Sequence, residues 1–458
     1  MMATNQSILG RVTINTLHDD VLIDIFHFCV DDWNDETHAG RWYILVHVCQ
    51  RWRYVVFASP RRLNLRLWYR GERPMSEMLD VWPVLPVVIG PTTYSFSNYR
   101  NITALLDSEY HHRICAITLN ILTSFWGTFT AAMQKPFPEL TSLDIWVDRD
   151  RATSVPVPDS FLGGSAPLLR HLRLTNCSFR GLPKLLSSSD HLASLHLRYI
   201  PYSGFLSPQA LVTALSVTSR LESLCLEFER PRSRRGRANS LPRPSTRSPL
   251  PRVNEYLEDL LAQIEVPLLD HLNVMLFVDP NFVVPQLYQL ISHTESFKTC
   301  DKGSLRAFDG AIELAIFREE VHDSPDLSLE IISRQLYGHL PFMARVCSSP
   351  LSPLSTLTRL DIGDFGNIVE NETPQWLELL DPFTSVTDLR LGKTVGPRVC
   401  QALEELAEER VTEVLPALRN IFLRNLGPSE SVPEFIEGFV AARQLFGHPV
   451  TVFPWKTV

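Results

Sequence analysis

Hydrophobic and polar positions follow two regimes along the chain. Between Thr16 and Pro60 the apolar residues step by three and four: Val21, Leu22, Ile25, Phe26 and Cys29 make one stripe, and Leu45, Val48, Cys49, Trp52, Val55 and Val56 another. The spacing predicts two amphipathic helices joined by an acidic loop. Asp19 and Asp20 stand where the first helix begins, suited to capping it and to the positive end of its dipole. Pro60 lies just past the expected end of the second. Neither helix can bury its stripe alone, so each must dock on the other and on something further.

From Ile114 onward the pattern changes to Leu-x-x-Leu-x-Leu with aliphatic substitution. It occurs at Ile114/Ile117/Leu119, Leu140/Leu143/Ile145, Leu169/Leu172/Leu174, Leu192/Leu195/Leu197, Leu221/Leu224/Leu226 and Leu269/Leu272/Val274. It resumes at Leu357/Leu360/Ile362, Val386/Leu389/Leu391 and Leu418/Ile421/Leu423. Successive starts differ by 26, 29, 23, 29, 48, 88, 29 and 32 residues, so most intervals are close to one repeat length. The interval of 88 has room for about three degenerate repeats, with one candidate at Ala311/Leu314/Ile316. Between the strands the pattern predicts helices over Pro208–Thr218, Asn254–Ile264, Pro285–Ser292, Pro374–Leu380, Arg398–Val411 and Pro433–Phe446, several opening at or beside a proline. Residues 61–113 carry alternating Leu63, Leu65 and Leu67, a helical stretch from Met75 to Val81 and a proline-interrupted run from Trp82 to Pro91. They are expected to link the two regimes.

Composition narrows the class. A hydrophobic share of 45% and a charged share of 21% over 458 residues describe a globular chain with a large core. Residues 1–12 are polar and are expected to be disordered. No apolar run resembling a signal peptide or a membrane span appears, so the expectation is a cytoplasmic or nuclear protein with no membrane partner. Eight cysteines without a close pair argue against a disulfide framework and a Cys-x-x-Cys metal site. Residues 230–252 hold eight arginines, five prolines and no acid, and are expected to form a disordered insert. Subtracting their charge from the net of -8 leaves -16 on the remainder, which disfavours a general nucleic-acid-binding fold.

No catalytic constellation emerges. Gly392-Lys393-Thr394 follows a strand as a phosphate loop would, but Thr387 stands where the loop requires its first glycine. His111-His112 lacks a third ligand at metal spacing, and Gly163-Gly164-Ser165 lacks the pattern of a nucleophile elbow. The expectation is a chain that is not an enzyme and uses no cofactor. A hydrolase or nucleotide-binding enzyme on an α/β frame is the poorer reading.

The N-terminal residues resemble the F-box family. Leu17, Asp20, Leu22, Ile25 and Phe26 follow its first helix, and Val48, Cys49 and Trp52 its Val-Cys-x-x-Trp helix. Two departures stand out: His18 replaces the usual proline, which removes a preorganised helix start, and the loop from Asp31 to Gly40 is long. The repeats resemble those of the leucine-rich-repeat class of F-box proteins. The resemblance implies an α/β chain with an F-box-like helical domain over 13–60, an irregular leucine-rich-repeat solenoid, or horseshoe, over 114–426, and a C-terminal helix and cap over 427–458. It further implies the substrate-recognition subunit of an SCF-type cullin-RING ubiquitin ligase. Leu17, Asp20, Leu22, Ile25, Phe26, Val48, Cys49 and Trp52 would dock on a Skp-family adaptor and through it a cullin. The outward strand positions Asp144, Trp146, Arg173, Thr175, His196, Arg198, Glu227, Asp361, Arg390 and Arg424 would meet a target protein. The alternative is a non-degradative interaction scaffold with a divergent F-box.

Overall fold

The computed structural model describes residues 14–31, 42–60, 62–79, 84–91, 96–148, 155–201, 204, 206–229, 253–264, 266, 268–277, 283–308, 311–318, 325–332, 339–348, 351–364, 373–406, 411–424 and 434–455. The inter-helix loop expected over 31–40 lies almost wholly outside the described residues, and the arginine-rich insert 230–252 does so entirely. The chain divides into two compact units, one of residues 1–151 with 160–169 and one of residues 152–159 with 170–458. This division does not follow the expected boundaries at 60, 113 and 426.

The first unit begins with helices α1 (Asp19–Asp31), α2 (Tyr43–Val48) and α3 (Gln50–Ala58). It continues through β1 (Leu67–Tyr69), α4 (Met75–Leu79), β2 (Val87–Ile89), α5 (Phe96–Asp107), β3 (Ile114–Leu122), α6 (Thr123–Ala132) and β4 (Ser142–Asp148). The four strands are parallel in the order β1-β2-β3-β4. Within 61–113, β1 and β2 therefore belong to this sheet, because Val87–Ile89 pair directly with β3. The single second helix expected from the sequence is two. Cys49 is extended at φ -159° and ψ 169°, and its Sγ accepts the Trp52 amide at 3.5 Å, ending α2 and starting α3.

The second unit contains β5 (Val155–Val157), β6 (His171–Thr175), β7 (Cys177–Phe179), α7 (Leu182–Leu186), β8 (Ser194–Ile200), α8 (Pro208–Leu215), β9 (Ser223–Phe228), α9 (Val253–Leu261) and β10 (His271–Phe277). Next come α10 (Pro285–His293), α11 (Glu295–Lys298), β11 (Lys302–Phe308), β12 (Ala311–Phe317), β13 (Leu327–Ile332) and α12 (His339–Cys347). It closes with β14 (Arg359–Ile362), α13 (Thr373–Leu380), β15 (Asp388–Leu391), α14 (Gly396–Glu404), β16 (Asn420–Leu423), α15 (Glu434–Leu445) and β17 (Thr451–Pro454). The strands run β6-β8-β9-β10-β13-β12-β11-β14-β15-β16-β17, mostly parallel and without closing into a barrel, while β5 and β7 pair separately.

The leucine template explains the register. Leu172, Leu195, Leu224 and Leu272 stand side by side on adjacent strands, and so do Leu360, Leu389 and Ile421. All are buried. The first leucine of several templates closes a recurring turn before its strand, with Leu169 N–H donating to Ala166 O, Leu192 to Ser189, Leu221 to Thr218, Leu269 to Val266 and Leu418 to Leu415. Alternate strand residues point to the opposite face. Helices α7 to α10, and again α12 to α15, each pack on the next and cover the apolar side.

The long interval breaks this order. Strand β12 is antiparallel to both β11 and β13, so Ala311/Leu314/Ile316 is the middle of an antiparallel insertion and not a further parallel repeat. Phe308 pairs with Ala311 across Asp309-Gly310, a dipeptide that favours a two-residue hairpin turn.

Candidate interaction surfaces

The first surface lies on the N-terminal helices. Leu22 and Phe26 are fully buried, as are Val55 and Val56, and Phe26 packs on Trp52 with ring centroids 4.7 Å apart. Leu22 and Phe26, expected in adaptor contact, therefore form the core beneath it, because α1 turns that side onto α3. The opposite side of α1 exposes Val21 (44%), Ile25 (37%) and Phe28 (76%). Spaced at i, i+4 and i+7, they form one apolar stripe. Ile44 and Val48 on α2 and Tyr54 on α3 are also exposed apolar residues. Of the other expected contacts, Cys49 is an exposed helix cap, Leu17 and Trp52 are half-buried, and Asp20 is exposed and held by Arg62 at 3.1 Å.

His18 opens α1. His18 O accepts the Leu22 amide and His18 Nδ1 lies 3.4 Å from the Asp20 amide, so this residue caps α1. Arg51 on α3 then clamps the same end, donating to Asp19 Oδ1 at 2.7 Å and to Leu17 O.

Each unit also has a strand face opposite its helices. In the first unit Asp144 is half-buried on β4 and Trp146 is 52% exposed. The remaining candidates belong to the second unit and fall into two groups. On β6, β8 and β9, Arg173 Nε donates to His196 Nδ1 at 3.2 Å, His196 Nε2 meets Ser223 Oγ at 2.9 Å, and Arg198 Nε pairs with Glu227 Oε1 at 3.2 Å. Burial, reinforced by the Arg173 and Arg198 charges, pushes the His196 imidazole down to about 4. Burial pushes the neighbouring Cys225 thiol up to about 12, so it is an unreactive core group. Thr175 and Glu227, expected to face a target, are buried. Arg198 is the register partner of Thr175 and seals Glu227 with its guanidinium.

The other group spans β14 to β17. Asp361 and Arg390 are register partners with Oδ1 and Nε 3.9 Å apart, and Arg390 lies 5.4 Å above the Phe422 ring. Phe422 stacks on Phe453, and the exposed Arg424 lies 6.0 Å above Trp455. Burial raises the Asp361 carboxyl in spite of the nearby cations Arg390, Lys302, Arg359 and Arg306. Phe422, Phe453, Lys302 and Arg306 were not singled out from the sequence. The alternation around Ile421 and Leu423 was the available signal for Phe422.

Several sequence features resolve into structure. Thr394 donates both its amide, at 2.6 Å, and its hydroxyl, at 3.0 Å, to Asp364 Oδ1, so donors that would cradle a phosphate are taken by an internal carboxylate. His111 Nδ1 meets Ser108 O at 2.7 Å, and its ring packs edge-on to Phe137. Among the described residues, no three His, Cys, Asp or Glu side chains are arranged to hold a metal ion, and no helix is long and apolar enough to cross a membrane. An apolar cavity lined by Leu174, Leu197, Leu211, Phe228 and Tyr256 has about 30 Å³, room for little more than one water molecule. In comparisons with known proteins, the chain matches no family model and no curated protein.

Proposed function

We propose that the chain is the substrate-recognition subunit of a cullin-RING ubiquitin ligase. In this reading α1 to α3 are an F-box-like element that binds a Skp-family adaptor, and the strand face is the target-binding side of an irregular leucine-rich-repeat solenoid. The observation that carries the reading is the exposed stripe Val21, Ile25 and Phe28 on a helix whose other side is committed to the core. An apolar stripe of this length on a surface helix favours a protein partner. The aligned leucine ladder supports the repeat assignment, and the charged, aromatic strand face supplies fixed recognition groups. The chain would contribute proximity and orientation to ubiquitin transfer by an associated enzyme.

The test is affinity capture of the full chain from cells beside a Val21→Glu, Ile25→Glu, Phe28→Glu variant of equal thermal stability. Wild type should recover a Skp-family adaptor and a cullin, and the variant neither. Recovery of both by the variant, or of neither by wild type, would overturn the proposal.

A further inference from the structure

We propose that the β11 to β17 end of the strand face takes an acidic segment of a partner protein. The inference rests on the strand face being the target-binding surface and adds the chemistry of its occupant.

Five cations occupy this end: Lys302 and Arg306 on β11, Arg359 on β14, Arg390 on β15 and Arg424 just after β16. They alternate with the buried Leu305, Leu360, Ile362, Leu389, Leu391, Ile421 and Leu423, which places them on the side away from the helices. The carboxylates among them are already engaged or loosely paired. Asp388 accepts from Asn420 Nδ2 at 2.7 Å, and Asp364 holds Thr394. Asp361 stands 3.9 Å from Arg390, beyond hydrogen-bond reach. Both Arg390 Nε and Asp361 Oδ1 are buried without a hydrogen-bond partner among the described residues. Arg390 and Arg424 lie over the Phe422 and Trp455 rings, and the exposed Arg424 guanidinium can meet a carboxylate there. Phe453 is 39% exposed beside them and offers an apolar contact.

The patch is bounded as well as charged. On the adjoining strands Glu313 and Glu330 are register partners, so the cationic field ends at β12. A long polyphosphate chain would run past these acids, on a protein whose net charge is -8. A short acidic segment matches the extent of the patch.

The test is selection of a displayed random-peptide library on the full chain, followed by fluorescence-polarisation titration of the enriched peptides. Titrations cover wild type, Arg306→Glu with Arg424→Glu, Arg173→Glu, and Lys184→Glu as an exposed control on α7. Arg306 and Arg424 are exposed, so their reversal leaves the fold intact, which a thermal melt verifies. The expected result is a set of Asp- and Glu-rich binders that weaken with salt, lose about tenfold or more on the Arg306/Arg424 variant and keep their affinity for the Lys184 variant. Enrichment of no acidic sequence overturns the inference, as does equal affinity for the Arg306/Arg424 variant. If binding falls with Arg173→Glu instead, the strand face remains the target surface and the β11 to β17 site fails. If no peptide responds to either strand-face variant, both readings fail. Binding of a labelled uridine oligonucleotide that displaces the selected peptides and is lost on the Arg306/Arg424 variant would assign the patch to nucleic acid.

Discussion

Lowering the pH should loosen the second unit through one imidazole. His196 accepts a hydrogen bond from Arg173 Nε at Nδ1, so its proton sits on Nε2 and is donated to Ser223 Oγ. Protonating Nδ1 would set an N–H against a guanidinium. The folded value of about 4 lies below the unfolded value near 6.5, so the unfolded chain takes up a proton first as the pH falls. The contribution is present above the unfolded value and is lost as the pH drops through the folded one. Between pH 7.5 and 5.0 the full shift would amount to about 2 kcal/mol, and the partial exposure of the ring reduces this to about 1 kcal/mol. His196→Gln keeps an acceptor and a donor without titrating. Urea unfolding of both proteins at a series of pH values reads the difference, and other titrating groups, including the depressed His171, cancel in the comparison. The variant should gain about 1 kcal/mol on wild type over that range. Parallel pH profiles, or a relative gain by wild type toward acid, would refute the arrangement.

Three further substitutions probe the frame. Arg443 is fully buried on α15 and donates to the carbonyls of Val411, Leu415, Pro416 and Leu418, so Arg443→Met should cost about 2–4 kcal/mol in denaturant unfolding, the orphaned acceptors outweighing the relieved burial of charge. Gly71 has φ +75° and a side chain there would meet Asn98 O at 2.5 Å, so Gly71→Ala should lower the thermal midpoint, with a loss of about 2 kcal/mol or more. Cys49→Ala should remove the α3 cap and cost about 1 kcal/mol in the same assay, whereas Cys49→Ser should keep the cap and the stability.

Much of the sheet was legible because buried strand positions must be apolar at fixed spacing. All nine leucine templates fall on strands or on the turns that lead into them. The antiparallel insertion was missed because its apolar runs mimic the parallel ones, and Asp309-Gly310 was the local signal that distinguished them. The start and length of α1 were legible, but its orientation was not. Val21 and Leu22 are equally apolar, and only packing on α3 decides that Leu22 is core and Val21 is surface. The break at Cys49 escaped a reading by periodicity, because a thiol acting as cap leaves the three-and-four spacing intact. Thr175 and Glu227 show the limit of alternation, which finds the face of a strand but not the neighbour, here Arg198, that closes it off. The cationic patch depends on register between strands far apart in sequence, such as β11 with β14, and no local pattern carries that.

The adaptor-binding role proposed for the exposed stripe of α1 is open to a titration of the purified full chain with a purified Skp-family adaptor. A one-to-one complex with Kd below about 1 μM is expected. The complex should be abolished by Val21→Glu with Phe28→Glu and unchanged by His196→Gln. Absence of binding at tens of micromolar, or equal binding by the stripe variant, would contradict it.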